Sequence, residues 1–343
     1  MNTPVSAPQQ NAPGVLTFIL LRLLADGEFH SGEAMAKQLG LSRASVHNAL
    51  REAGGYGLIL HSVRGRGYRL ANPPQWLDAA RIGECLGETG RHFRIEILDS
   101  ATSSNTLLMG QAARGAPSGS VLAAEWQSGG RGRMGRAWRS GLGNALTFSL
   151  LWRFECGLAA LSGLSLAVGV ALVRALHGLG VKGVTLKWPN DVLGAHGKLA
   201  GILVEAQGDV LGPSAVVIGI GLNLSFSGTP TSRIGQPATS LEEMITVVPE
   251  RNLLLAAILR ELCGVLEVFS RNGFAALRAE WESYHGARGQ QVRLLLPDGS
   301  KVAGIARGVA ADGSLELEMA QEIRKFNVGE VSLRATGGVN AAD

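Results

Sequence analysis

A proline pair at Asn72-Pro73-Pro74 divides the chain. Proline fixes φ and offers no backbone N–H, so neither a helix interior nor a central strand runs through such a pair. The pair marks a boundary between the segments on either side. Their charge differs too. Residues 1–75 hold seven Lys/Arg and four Asp/Glu, a net +3, against +4 for all 343 residues. The basic excess sits in the N-terminal fifth, as for a local polyanion-binding element.

Residues 1–14 carry three prolines and no charge, and read as a disordered tail. Three helical patterns follow. Val15–Ala25 closes at Asp26-Gly27. Ser31 caps a second helix ending near Leu39-Gly40. Ser42 caps a third, through Ala44, Val46, His47 and Leu50 to a stop at Gly54-Gly55. Two strands, Leu58–Val63 and Tyr68–Leu70, are joined by Arg64-Gly65-Arg66-Gly67. This is the winged helix-turn-helix plan, assigned to 15–72. DNA contacts are expected from Ser42, Arg43, Ser45, His47, Asn48 and Arg51 in the recognition helix, with Arg64 and Arg66 in the wing.

Beyond the boundary, 79–285 alternates strands with helices. Strands are expected at Arg94–Leu98, Val121–Trp126, Leu146–Trp152, Val184–Trp188, Leu199–Glu205 and Ala215–Leu224, and long helices at Leu161–Leu179 and Arg251–Phe269. Residues 286–336 carry short strands with hairpin turns and read as a small β-barrel. The fold class is therefore multidomain α/β (α+β). With 46% hydrophobic and 17% charged residues, a disordered polyelectrolyte is excluded. Cys85, Cys156 and Cys263 are odd in number and far apart, so a reduced, cytoplasmic protein without disulfide or protein-only metal site is expected. Cys156–Val173 is uncharged but rich in Gly, Ala and Ser, and reads as a buried helix, not a membrane span.

Four stretches carry chemistry. Gly130, Gly132 and Gly135 formally satisfy G-x-G-x-x-G, with Glu155 at ribose distance, but the following Ala137–Gly141 reads as loop, not helix, so a dinucleotide fingerprint is rejected. The same stretch, with Arg131, Arg133 and Arg136, suits a loop that folds over an anion. Lys187, at a strand end before Trp188-Pro189-Asn190-Asp191, is a fixed cation for a carboxylate or phosphate. Gly219-Ile220-Gly221 within a strand implies close approach by a ligand or by backbone. The Asp99–Asn105 cluster of hydroxyls caps a helix and can also bind a polar group. Ser165 reads as core.

In combination, Gly130–Arg136 with Trp138, Lys187–Asp191, Lys198–Glu205 and Gly219–Asn223 resemble bacterial biotin–protein ligases of the bifunctional kind that also repress the biotin operon. The resemblance runs over nearly the whole chain after residue 14. It implies a catalytic domain like that of class II aminoacyl-tRNA synthetases, between a winged helix-turn-helix and an SH3-like barrel. It also implies biotin, ATP and Mg²⁺ as reactants, biotinyl-5′-adenylate as intermediate, and a lysine of the biotin carboxyl carrier protein of acetyl-CoA carboxylase as acceptor. Operator DNA and a homodimer formed with adenylate bound are the other implied partners. By the same resemblance Ser103, Ser104, Asn105, Gln127, Gly130, Arg131, Gly132, Arg133, Lys187, Gly219 and Gly221 would bind biotin. Arg131, Arg133, Trp138, Lys187, Asn190 and Asn223 would hold the adenylate, and Lys187, Arg131 and Arg133 would serve catalysis. Asp191 is a candidate base for the acceptor amine. Ser104 stands where the family has threonine, and Ala53-Gly54 where it often has Leu and Arg. Two rival readings of the sequence are an adenylate-sensing transcription factor without ligase activity and a lipoate or octanoate ligase.

Overall fold

A computed structural model describes residues 12–227, 236–320 and 322–333. Of the expected tail only 12–14 fall within them, and 334–336 of the C-terminal unit lie outside. The N-terminal unit comprises α1 (Val15–Leu23), α2 (Gly32–Leu39), α3 (Arg43–Arg51) and the hairpin β1 (Leu60–Val63) with β2 (Gly67–Leu70). Ser31 Oγ accepts from the Glu33 and Ala34 amides, and Ser42 Oγ from the Ser45 amide, so each hydroxyl satisfies helix-terminal donors. The third helix does not stop at Gly54-Gly55. It tightens into a 3₁₀ turn over Glu52–Tyr56 and ends at Gly57, φ +84°. Ala53 inside that turn is fully buried, so a small residue fits there.

The central unit opens with α4 (Ala79–Leu86), which the sequence reading missed. It continues with β3 (Arg94–Ala101), α5 (Ser104–Ala113), β4 (Ser120–Gln127), β5 (Ala145–Phe154), α6 (Leu164–Gly178), β6 (Thr185–Lys187), β7 (Asp191–Gly194), β8 (Gly197–Gly208), β9 (Ser214–Asn223), α7 (Arg251–Asn272) and α8 (Arg278–Ser283). The expected helix from Leu161 begins only at Leu164, because Gly163 takes a left-handed φ of +79° and a Cβ there would meet Phe274 at 2.6 Å. β7, also missed, is the short return strand after Lys187. Seven strands form one sheet in the order β3-β4-β5-β9-β8-β7-β6, with only β3 and β4 parallel.

Side chains alternate across this sheet. Phe148, Leu150, Ile202, Ile218, Ile220 and Leu222 enter the main core with the apolar faces of α6 and α7. Leu158–Gly178 is long and apolar enough to cross a membrane by composition, but α6 within it is mostly buried in this core. The opposite sheet face presents Thr147, Ser149, Gly201, Gly219 and Gly221, paired across β5, β9 and β8. α5 packs through Leu108 and Ala112 on Leu151, Ala215 and Val217 at one end of that face.

The C-terminal unit has β10 (Gln291–Leu295), β11 (Lys301–Val309), β12 (Leu315–Met319), β13 (Glu322–Phe326) and β14 (Glu330–Leu333), all antiparallel, around Val292, Leu294, Ala306, Leu315 and Leu317. The units are tied together. Tyr56 meets Trp126 edge-on at 5.8 Å, and Leu142 donates its amide to the Tyr56 carbonyl. The buried Arg251–Glu125 pair, 2.6 Å apart, clamps the linker: Arg251 donates to the Gln75 carbonyl and Glu125 accepts from the Leu77 amide. Trp188 Nε1 donates to the Gly313 carbonyl of the C-terminal unit.

Candidate functional site

A cleft opens over the small-residue face of the sheet. Its floor is low for a reason. A Cβ on Gly219 would lie 2.1 Å from Asn105 Oδ1, and one on Gly221 2.4 Å from the Trp138 ring. The close approach expected at these glycines is thus made by two side chains of the protein itself.

One end of the cleft is hydrogen-bonding, its uncharged side chains backed by an Arg131–Glu205 ion pair. Ser103 caps α5 with its side chain, placing Ser104 and Asn105 in the first turn. Gln127 Oε1 accepts from the Ser104 amide at 2.7 Å. Ser149 Oγ lies 2.7 Å from Ser104 Oγ and 2.6 Å from Asn105 Oδ1. Asn105 Nδ2 donates to Glu205 at 2.9 Å, and the same carboxylate oxygen takes Arg131 at 2.7 Å.

The other end is cationic. The Gly/Arg stretch is a loop, as expected, closed by a bridge between Arg131 and Ala137 around a short 3₁₀ turn at Arg133–Gly135. Arg133 donates to Asn190 Oδ1 at 3.3 Å, and burial pulls its guanidinium pKa down against the opposing pull of Asp191 and Glu330. Asn190 Nδ2 is anchored on the Ile202 carbonyl. Asp191 is buried and pairs with Lys198 at 2.7 Å and with Lys187 at 3.1 Å. Burial alone would raise its carboxyl, but Lys198 and then Lys187 hold it below the ordinary range. A carboxylate already shared by two ammonium groups is a weak proton acceptor, which argues against Asp191 as the base.

Of the residues singled out in the sequence, Ser103, Ser104, Asn105, Gln127, Arg131, Gly132, Arg133, Trp138, Asn190, Gly219 and Gly221 line this cleft. Gly130, Lys187 and Asn223 stand behind the lining. Gly130 packs against Trp138, Lys187 reaches Asp191, and Asn223 donates to the Lys198 and Thr239 carbonyls. The sequence reading quoted Lys198 and Glu205 only as the ends of a motif, with no site role, and missed Thr147 and Ser149. Polar Thr147 and Ser149, two apart in an otherwise apolar strand, were the available signal. Ser165 is half-buried rather than core, and its hydroxyl donates to the Pro189 carbonyl.

In the N-terminal unit, Arg43, Asn48, Arg51 and Arg64 are exposed. Three other expected DNA contacts already have partners: Ser42 caps α3, Ser45 Oγ lies 2.9 Å from Ser42 Oγ, and His47 Nδ1 lies 2.9 Å from Tyr68 Oη in the wing. Arg66 lies over the Phe29 ring, 4.2 Å from its centroid.

The profile of the biotin/lipoate A/B protein ligase family matches residues 98–223, a helix-turn-helix profile 15–69, and the biotin protein ligase C-terminal domain 288–334. The bifunctional ligase/repressor BirA of Escherichia coli is 37% identical over 317 residues, 92% of this chain and 96% of that protein. The chain belongs to the BirA family of bifunctional ligase/repressors. The BirA protein of Salmonella typhimurium is equally similar, 37% identical over 92% of this chain and 97% of its own. Biotin--[acetyl-CoA-carboxylase] ligase of Mycobacterium tuberculosis is 34% identical over 76% of this chain and 96% of that protein. Among solved structures, biotin protein ligase from Aquifex aeolicus in complex with biotin and ATP superposes with a TM-score of 0.61 at 29% identity, covering 71% of this chain and 99% of that one. Membership of the BirA family accounts for all three units of the chain.

Proposed function

We propose that this chain activates biotin with ATP to biotinyl-5′-adenylate, transfers the biotinyl group to a lysine of a biotin carboxyl carrier protein, and represses transcription through its N-terminal unit. The observation that carries the reading is the division of one cleft into a hydrogen-bonding end and a cationic end. Ser104, Asn105 and Gln127 would hold the uncharged bicyclic head of biotin, while Arg131, Arg133 and Lys198 would face its carboxylate and the nucleotide phosphates and Lys187, paired with Asp191 behind the lining, would add its charge. Trp138 and Asn190 would flank the adenylate.

Two anions must meet for the first step. A biotin carboxylate oxygen forms a bond to the α-phosphorus, and the bond to pyrophosphate breaks. Fixed cations offset the charge that opposes this approach, and they hold both groups in line without a covalent enzyme intermediate. In the second step the acceptor amine attacks the acyl carbon, AMP leaves, and the amine's proton is lost. Mg²⁺ would accompany the nucleotide and offset its phosphate charge. Asp191 is already occupied by two lysines, and among the described residues no group of three or more His, Cys, Asp or Glu forms a metal site, so phosphate oxygens and water would supply its ligands.

The N-terminal unit supports binding to operator DNA through α3 and the wing. The reading also includes a cytoplasmic location and a homodimer formed with adenylate bound. The testing experiment incubates the purified chain with biotin, ATP, Mg²⁺ and apo carrier protein. Pyrophosphate release and a single biotinylated lysine by mass spectrometry are expected. Release without carrier modification would favour an adenylate sensor, and a lipoylated or octanoylated lysine would favour the other ligase class.

A further inference from the structure

The Asn105 amide can face only one way. On one side lie the Glu205 carboxylate at 2.9 Å and the Leu203 carbonyl at 3.3 Å, both acceptors without a proton. The NH₂ must face them, and Oδ1 must face Ser149. Ser149 is fully buried and owns one proton. Asn105 Oδ1, 2.6 Å away and buried, requires that proton. The Ser149 oxygen then accepts from Ser104 Oγ at 2.7 Å, so the Ser104 proton is committed as well. The cleft therefore meets Ser104 as lone pairs only. Beside it, Gln127 Oε1 is held by the Ser104 amide, which leaves the Gln127 NH₂ as a donor.

We propose that Glu205 is a specificity-determining positioning residue: acting through Asn105 and Ser149, it makes Ser104 an obligate hydrogen-bond acceptor and so selects an acyl substrate whose head group offers an N–H at that point. The proposal rests on the biotin reading and deepens it. A cyclic urea supplies both an N–H for Ser104 and a carbonyl for Gln127. A dithiolane or an alkyl chain supplies neither. Burial makes the order strict, because Ser104, Asn105 and Ser149 are 5%, 3% and 0% exposed and water cannot replace a missing partner. Arg131, on the same Glu205 oxygen at 2.7 Å, reinforces the carboxylate as acceptor.

The test compares biotin with its two cyclic carbamate analogues, in which one or the other ureido N–H is replaced by ring oxygen, by calorimetric binding. For one regioisomer the wild-type chain should prefer biotin by at least about 100-fold, because two acceptors would face each other at Ser104. Glu205→Met removes the charged, nearer acceptor and leaves the Asn105 NH₂ only the Leu203 carbonyl at 3.3 Å, which weakens the lock on the amide and the two hydroxyls, and this preference should fall by about tenfold or more. Ser149→Ala frees the Ser104 proton by a different route and should lower the preference likewise. Glu205→Gln still presents an oxygen to Asn105 and should keep the preference within about threefold of wild type, although its pairing with Arg131 is lost. If biotin and the carbamate weaken in parallel in Glu205→Met and Ser149→Ala, leaving the preference unchanged, the proposal is overturned and Glu205 is merely structural. Failure of the wild type to bind biotin, with binding of lipoate or octanoate instead, would overturn the functional reading, an outcome separate from any change of preference among the variants.

Discussion

Lys198 Nζ lies 2.7 Å from Asp191 Oδ1, closer than Lys187, which holds the other oxygen at 3.1 Å. One buried carboxylate thus fixes two ammonium groups at the cationic end of the cleft. Asp191→Asn leaves those lysines without a counter-charge and should destabilise the chain by about 3 kcal/mol, since breaking a buried pair is costlier than never having formed it. The folded-state carboxyl lies below its ordinary value of 3.8, so its contribution is complete above that pH and is lost as pH falls through the lower, folded value. Urea unfolding should show a gap between wild type and variant that is constant near neutrality and closes below about pH 3.8. Displaced lysines should also slow adenylate formation roughly 100-fold. A gap unchanged in acid would mean that the pairing with Asp191 is not its source.

The floor glycines give a second prediction. Gly219→Ala drives a methyl to 2.1 Å from Asn105 Oδ1, and Gly221→Ala to 2.4 Å from Trp138. Each should cost about 1–3 kcal/mol of stability by overpacking. The ligand effects should separate. Displaced Asn105 weakens biotin binding in Gly219→Ala, whereas displaced Trp138 weakens ATP more than biotin in Gly221→Ala. Calorimetric titration of both ligands against both variants checks this, and identical profiles would contradict the division of the cleft.

Much of this arrangement was legible in the sequence, and the reasons differ by element. Ser31, Ser42, Gly40 and the Arg64–Gly67 turn announce α2, α3 and the wing because caps and turns are local chemistry. The Gly/Arg loop and Lys187–Asp191 stood out because charges and glycines are rare within apolar strands. Lys198 and Glu205 bounded a motif of the resemblance, but no site role was legible for either. Their roles depend on β8 lying beside β7 and β9, a long-range pairing that no local pattern encodes. Likewise His47 read as a DNA contact because it is polar on an exposed helix face, and only the fold brings Tyr68 within 2.9 Å of it.

The linker clamp is a third target. Arg251 and Glu125 are 3% and 2% exposed, and between them they hold the Gln75 carbonyl and the Leu77 amide. Arg251→Met should destabilise by about 3–5 kcal/mol because it strands a buried carboxylate. Adding Glu125→Gln removes that charge while keeping an acceptor for Leu77, so the double variant should be more stable than Arg251→Met alone. Equilibrium denaturation of the two variants decides it. Additive losses would mean that the charges are not coupled.

The last prediction separates positioning from recognition in the N-terminal unit. Arg43 and Arg64 are exposed on α3 and the wing, where guanidinium groups reach phosphates. Phosphate contacts carry no sequence information, and each releases about one counterion. Arg43→Ala should therefore weaken operator and random DNA alike, and reduce the slope of log K against log salt by about one. Asn48, exposed on the same helix, is suited to a base edge. Asn48→Ala should lower operator affinity by about 1–3 kcal/mol, leaving random DNA and the salt slope unchanged. His47→Ala releases Tyr68 and so loosens the wing against α3. It should weaken both DNAs while leaving the operator preference intact. Fluorescence anisotropy on the chain's own biotin-gene promoter and on a scrambled duplex, with biotin and ATP present and salt varied, reads all three. If His47→Ala abolished operator preference and Asn48→Ala did not, His47 would be the base-reading side chain and its contact with Tyr68 would have to break on DNA.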